Sequence, residues 1–144
     1  VIDNDPEKCQ KAIEAGAEKA FSPDDKEERR NVLGIGAKAG IDFGGRPETT
    51  DFGLSLVKKG GIVIVVGLYG GSLKLSLPLV PMRSVTLRGS YVGELRELKE
   101  LVEVIKQGNT KLIPVKKQAL ETANQAMSDL RAGKVNGRIV LIPN

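Results

Sequence analysis

The sequence predicts an α/β fold built on an open, mostly parallel sheet flanked by helices. Three observations carry this reading. The run IVIVVG at 62–67 is almost unbroken in β-branched residues, as a strand covered on both faces requires. Stretches with apolar residues three and four apart alternate along the chain with short apolar runs. Glycines stand where several of those runs end, and an open sheet of this kind gathers its ligands at the carboxyl ends of its strands.

The elements follow in order. DPEKCQKAIEAGA starts with Asp5 as a helix cap and Pro6 at the first helical position; Cys9, Ala12 and Ile13 share one face, and Gly16 is a stop. EKAF is a brief strand candidate, and SPDDKEERRNVLGIG a polar surface helix. GIDFGG is a short strand running into glycines. A helix is expected over 48–59, with Phe52, Leu56 and Val57 on one side and Gly60-Gly61 as its end. After IVIVVG comes a loop with Pro78 and Pro81, then a strand in SVTLRGSYVG. LRELKELVEVIKQGN is the clearest helix, with Leu98, Leu101, Val102 and Ile105 at helical spacing. KLIPVKK, a helix around Leu120, Ala123, Met127 and Leu130, and GRIVLIP repeat the strand, helix, strand order.

Composition removes several function classes. The 144 residues suit one domain, and 40% hydrophobic with 28% charged residues is ordinary for a globular chain. The net charge of +4 does not form a nucleic-acid surface, because basic pairs such as Arg29-Arg30 follow acidic runs and aromatics are only 3%. With one cysteine and no histidine, a disulfide framework, a zinc site and every histidine-dependent acid/base arrangement are ruled out as expectations. No apolar run reaches the length of a membrane span, and the acidic N-terminus is unlike a signal peptide. The chain reads as cytoplasmic.

The series VIDNDPEK, GIDFGGRPET, KKGGIVIVVGLYGG, TLRGSYVG and LRAGKVNGRIVLIPN resembles, in order and spacing, the coenzyme-binding half of the zinc-type, medium-chain alcohol dehydrogenases. The resemblance runs the whole length. It implies a Rossmann-like domain at 1–144 that lacks its first strand and the GxGxxG turn. It also implies that the segment 93–144 packs back on a catalytic domain in relatives. Neither GLYGG nor GIGAKAG replaces the missing turn, since the first leads into no helix and the second leaves a helix for a strand.

The resemblance implies a set of coenzyme contacts. Asp3, at the tip of the second strand of such a fold, would accept both ribose hydroxyls of adenosine and repel a 2′-phosphate, which selects NAD over NADP. On the residues alone Asp3 or Asp5 serves as well to cap the helix. Lys8 falls near the same ribose. Gly44, Gly45 and Arg46 fall where backbone approaches the coenzyme, which the lack of a Cβ on glycine allows. Val66, Gly67 and Leu68 match the segment against the nicotinamide, and Ser90, Tyr91 and Val92 the one that holds its carboxamide. Arg138 resembles an arginine that reaches the pyrophosphate.

The implied activity is hydride transfer between an alcohol and NAD in the complete enzyme, with zinc held outside this chain; the chain alone is expected to be inactive. Two alternatives stay open: the coenzyme domain of a zinc-free quinone or enoyl reductase, which Asp3 disfavours, and a non-catalytic assembly module. A sheet without its central strand would carry unpaired backbone groups at about 1–3 kcal/mol each. Association with another copy through sheet edges, or altered packing of the first residues, is the expected response.

Overall fold

A computed structural model of the chain describes residues 1–108, 110 and 112–143. Asn109, Lys111 and Asn144, which belong to the quoted QGN, KLIP and LIPN stretches, lie outside the described residues. The chain divides into two compact units, Val1–Gly93 and Glu94–Asn144.

The first unit opens on a single parallel bridge between Ile2 and Phe21. Asp3 N–H donates to Phe21 O at 3.3 Å and Phe21 N–H to Val1 O at 3.1 Å. The strand expected in EKAF is thus reduced to the single bridge residue Phe21. Between them runs α1 (Pro6–Glu14), whose first orphan amides, those of Glu7 and Lys8, donate to the Asp5 carboxylate. Next comes α2 (Lys26–Ile35), capped in the same way by Asp25.

Three strands, β1 (Ala37–Asp42), β2 (Val57–Val65) and β3 (Thr86–Gly89), form a parallel sheet in that order. Connecting them are α3 (Pro47–Leu56) and the short α4 (Leu79–Arg83), the latter unforeseen in the proline loop. Arg29 of α2 lays its guanidinium 4.8 Å from the centre of the Phe52 ring on α3. Two boundaries move. Strand β1 begins at Ala37 rather than at Gly40 of GIDFGG, and α3 stops at Leu56 rather than at Lys59.

The second shift has a packing cause. Val57 is only 2% exposed and must be extended to join Leu54 and Val63 in the core. A bulge in the β1–β2 register, between the pairs Ala37–Val57 and Ala39–Ile62, then absorbs Lys58 to Gly61. The Arg83 side chain ties down this junction by donating to the carbonyls of Leu54 and Val57. Ala37, Leu73, Leu75 and Val85 pack around the same small core.

The second unit holds α5 (Leu95–Lys106), β4 (Val115–Ala119), one 3-10 turn at Leu120–Thr122, α6 (Ala123–Arg131) and β5 (Arg138–Ile142). β4 and β5 pair in parallel as a two-stranded sheet of their own. Helix α5 forms as its apolar spacing requires, yet Leu95, Leu98, Leu101 and Val102 on it are all exposed.

Candidate functional site

Register places the ends of the three strands on one level. Asp42 lies opposite Val65, and Val65 opposite Gly89. The segments 44–46, 66–68 and 90–92 therefore leave the sheet side by side at its carboxyl edge. The sequence reading chose these three segments, and the structure brings them together.

Asp42, which that reading passed over, organises the first two. Its Oδ1 accepts the amides of Gly44 at 2.9 Å and Gly45 at 3.0 Å. Its Oδ2 accepts the hydroxyls of Thr50 at 2.7 Å and Thr49 at 2.9 Å. Thr49 Oγ1 in turn accepts the Arg46 amide at 3.1 Å. On the other side the Asp42 carbonyl takes the amides of Val66 at 2.9 Å and Gly67 at 3.1 Å. The sequence signal was present: an aspartate closing an apolar strand just before Gly-Gly, with Thr-Thr seven and eight residues on.

Burial pushes the Asp42 carboxyl up, but the hydrogen bonds from Thr50, Gly45, Thr49 and Gly44 outweigh it and hold its pKa below 3.8. A lowered folded-state pKa means that the stability this group contributes is present above 3.8 and is lost as pH falls through the folded value. Between about pH 5 and about pH 3 the wild-type urea midpoint should fall more steeply than that of Asp42→Asn. Parallel curves would show that the carboxylate is not held ionised.

The two loops touch backbone to backbone. A Cβ on Gly45 would strike the carbonyl of Gly67, and one on Gly67 would strike Gly44 and Gly45. Gly45 also has φ +65, in the left-handed region. The Gly70 amide donates to Gly45 O at 3.3 Å, and the Arg46 guanidinium stacks 3.6 Å from the centre of the Tyr69 ring. The result is a joined ledge beside an open cavity of about 270 Å³ that Gly45, Arg46, Thr50, Gly67 and Leu68 help to line. Because the Asp42 carboxylate already faces the first turn of α3, that helix end has little electrostatic demand for a phosphate.

Beyond β3, the Ser90 amide donates to Val65 O at 2.9 Å, and Ser90, Tyr91 and Val92 are exposed. Val92 has φ +48, rare for a β-branched residue. Asp3 and Lys8 belong to a separate patch. Asp3 is half-buried and its Oδ1 accepts the Asp5 amide at 2.9 Å, while Lys8 Nζ stands 3.8 Å from Asp5 Oδ2. The capping of α1 thus falls to Asp5, and Asp3 secures the turn before it. Asp3, Cys9 and Phe21 are among the residues lining a second open cavity, of about 280 Å³. Arg138 lies in the second unit at the start of β5, exposed, its amide donating to Pro114 O at 2.9 Å.

Among the described residues no group of three or more His, Cys, Asp or Glu side chains is placed to hold a metal ion. No described helix is long and apolar enough to cross a membrane.

Residues 1–107 match the zinc-binding dehydrogenase family. The chain is 34% identical over 99% of its length to the NAD-dependent alcohol dehydrogenase of Sulfurisphaera tokodaii, of which it covers 42%. It is 33% identical over 92% of its length to D-arabinose 1-dehydrogenase (NADP(+)) of Saccharolobus solfataricus, covering 38% of that protein. Among solved structures, the alcohol dehydrogenase of Aeropyrum pernix superposes with a TM-score of 0.87 at 32% identity, over 99% of this chain and 42% of the other. The chain thus spans about two fifths of the length of these relatives. It belongs to the zinc-binding dehydrogenase family and corresponds to the C-terminal, coenzyme-binding portion of a zinc-type alcohol dehydrogenase.

Proposed function

We propose that the chain is the NAD-binding portion of an alcohol dehydrogenase, and that it is inactive by itself. The observation that carries this reading is the row Asp42, Val65 and Gly89, from which three loops leave the sheet at one level. That is where a dinucleotide lies on an open α/β sheet. When bound, the nicotinamide supplies the hydride chemistry. The chain's own residues then hold and orient: the ledge of Gly44 to Arg46 and Val66 to Leu68 presents backbone to the coenzyme, and Ser90 to Val92 flank it. The zinc chemistry of the family finds no donor set among the described residues, and no step here passes through a metal.

Asp3 decides the coenzyme. A half-buried carboxylate just after the Ile2 bridge accepts ribose hydroxyls and repels a 2′-phosphate. Arg138 is assigned to the pyrophosphate and Lys8 to the adenosine ribose on the same reading. The second unit, whose α5 carries exposed apolar residues, is assigned on the same reading to pack on a catalytic domain in the complete enzyme. Association between copies is expected along sheet edges, since β3 pairs only with β2 among the described residues and all four of its residues are exposed. A cytoplasmic setting belongs to the same reading, because such a dehydrogenase draws on the intracellular dinucleotide pool.

The test is a fluorescence titration of the purified chain with NADH and with NADPH, alongside Asp3→Ala and an assay with a simple alcohol. Saturable NADH binding, weakened about tenfold in Asp3→Ala by loss of charge-assisted hydrogen bonds, is expected, with no turnover. Tighter binding of NADPH would overturn the coenzyme assignment. Turnover without a partner would overturn the inactivity of the chain, and absence of any binding would remove the reading altogether.

A further inference from the structure

We propose that Asp42 is the positioning residue of the ledge: its carboxylate and its own carbonyl fix both loops, and so set coenzyme affinity without touching the coenzyme. The proposal rests on the coenzyme reading above and adds to it a residue outside the assigned contacts.

The argument begins with acceptor capacity. An ionised carboxylate has about four lone-pair sites. Gly44, Gly45, Thr49 and Thr50 supply four donors to Asp42 at 2.7–3.0 Å, and the residue is 9% exposed. It has no acceptor left for a ligand and no role as a base. What those donors share is the turn into α3. Two are the glycine amides of the turn itself, and a third, Thr49, passes the contact on to the Arg46 amide.

The second loop depends on the same residue through its main chain. Val66 and Gly67 both donate to the Asp42 carbonyl, and Gly70 donates to Gly45, which the carboxylate holds. If the carboxylate lets go, the Gly45 turn loses its anchor. Gly67 is then pressed by a backbone no longer fixed, and the stacked Arg46 and Tyr69 lose their common base. Charge-assisted hydrogen bonds to backbone amides are the strong, directional kind suited to fixing such a turn.

The test compares wild type, Asp42→Asn and Asp42→Ala as full chains in two measurements. One is amide hydrogen exchange resolved by NMR without ligand; the other is NADH affinity. In Asp42→Ala, exchange at Gly44 and Gly45 should accelerate at least about tenfold while Val63 and Ile64 in β2 keep wild-type rates, and the dissociation constant for NADH should rise by a similar factor. Asparagine keeps an oxygen toward the glycine amides and turns its amide toward threonine hydroxyls that can accept, so Asp42→Asn should restore both to within about threefold. Should Asp42→Ala fail to fold, Asp42→Glu, whose extra methylene carries the carboxylate off the glycine amides, takes its place with the same expected results.

Unchanged exchange at Gly44 and Gly45 overturns the proposal. So does faster exchange with unchanged NADH affinity. Wild type that takes up no NADH refutes the coenzyme reading instead, and the exchange rates of the two glycines then decide alone whether Asp42 holds the turn.

Discussion

Gly45→Ala is expected to lower stability by about 3 kcal/mol or more. A left-handed backbone costs a residue with a Cβ about 1–2 kcal/mol, and forcing a methyl against fixed atoms adds about 1–3 kcal/mol. Here the obstructing atoms are the Gly67 backbone, which cannot rotate away as a side chain could. Against the roughly 5–15 kcal/mol that holds a domain of this size, the loss is large. Urea denaturation should show a lower midpoint with an unchanged slope. Two controls separate the causes. Gly60 has φ +77 but open space around its would-be Cβ, so Gly60→Ala should cost only the backbone share; Gly89 has neither constraint, and Gly89→Ala should be nearly neutral. Equal losses at Gly45 and Gly60 would show that the two loops do not touch as described.

Leu54→Ala should cost about 2–5 kcal/mol. Leu54 is 5% exposed and packs with Val57 and Val63, the three buried members of the core cluster under the sheet. With so few members, the loss of one leaves a cavity that its neighbours cannot close. Leu98→Ala, on the exposed face of α5 at 57% exposure, should change stability by no more than about 0.5 kcal/mol in the isolated chain. Similar losses from the two substitutions would mean that the α5 face is covered in solution, which size-exclusion at several concentrations would then trace to a second copy.

These contrasts show what was readable in the sequence. IVIVVG declared its strand because both faces demanded apolar residues. LRELKELVEVIK declared its helix because spacing alone fixes an amphipathic face, whether or not anything covers it. The KKGG segment misled because lysines and glycines suit a helix end, whereas Val57 had to turn extended to reach Leu54 and Val63, a tertiary demand invisible in a local window. The three loops of the candidate site came from the family resemblance, and the structure sets them side by side because each follows a strand whose end is level with the others. Asp42 was passed over despite its Gly-Gly and Thr-Thr signal, since an aspartate just before two glycines also reads as a plain turn, and only the fold reveals that its carbonyl holds Val66 and Gly67. The glycines were expected to let backbone approach a coenzyme; what the structure shows against Gly45 and Gly67 is each other's backbone.

The Arg46–Tyr69 stack also gives the protein an optical property. The chain has no tryptophan and only two tyrosines, 69 and 91, both just beyond the carboxyl ends of strands. Its near-ultraviolet emission therefore arises almost wholly at the edge where the loops gather, one emitter lying flat against a guanidinium and the other in open solvent. Neither tyrosine lies in the core, so tyrosine emission from the unlabelled chain comes from this edge of the sheet.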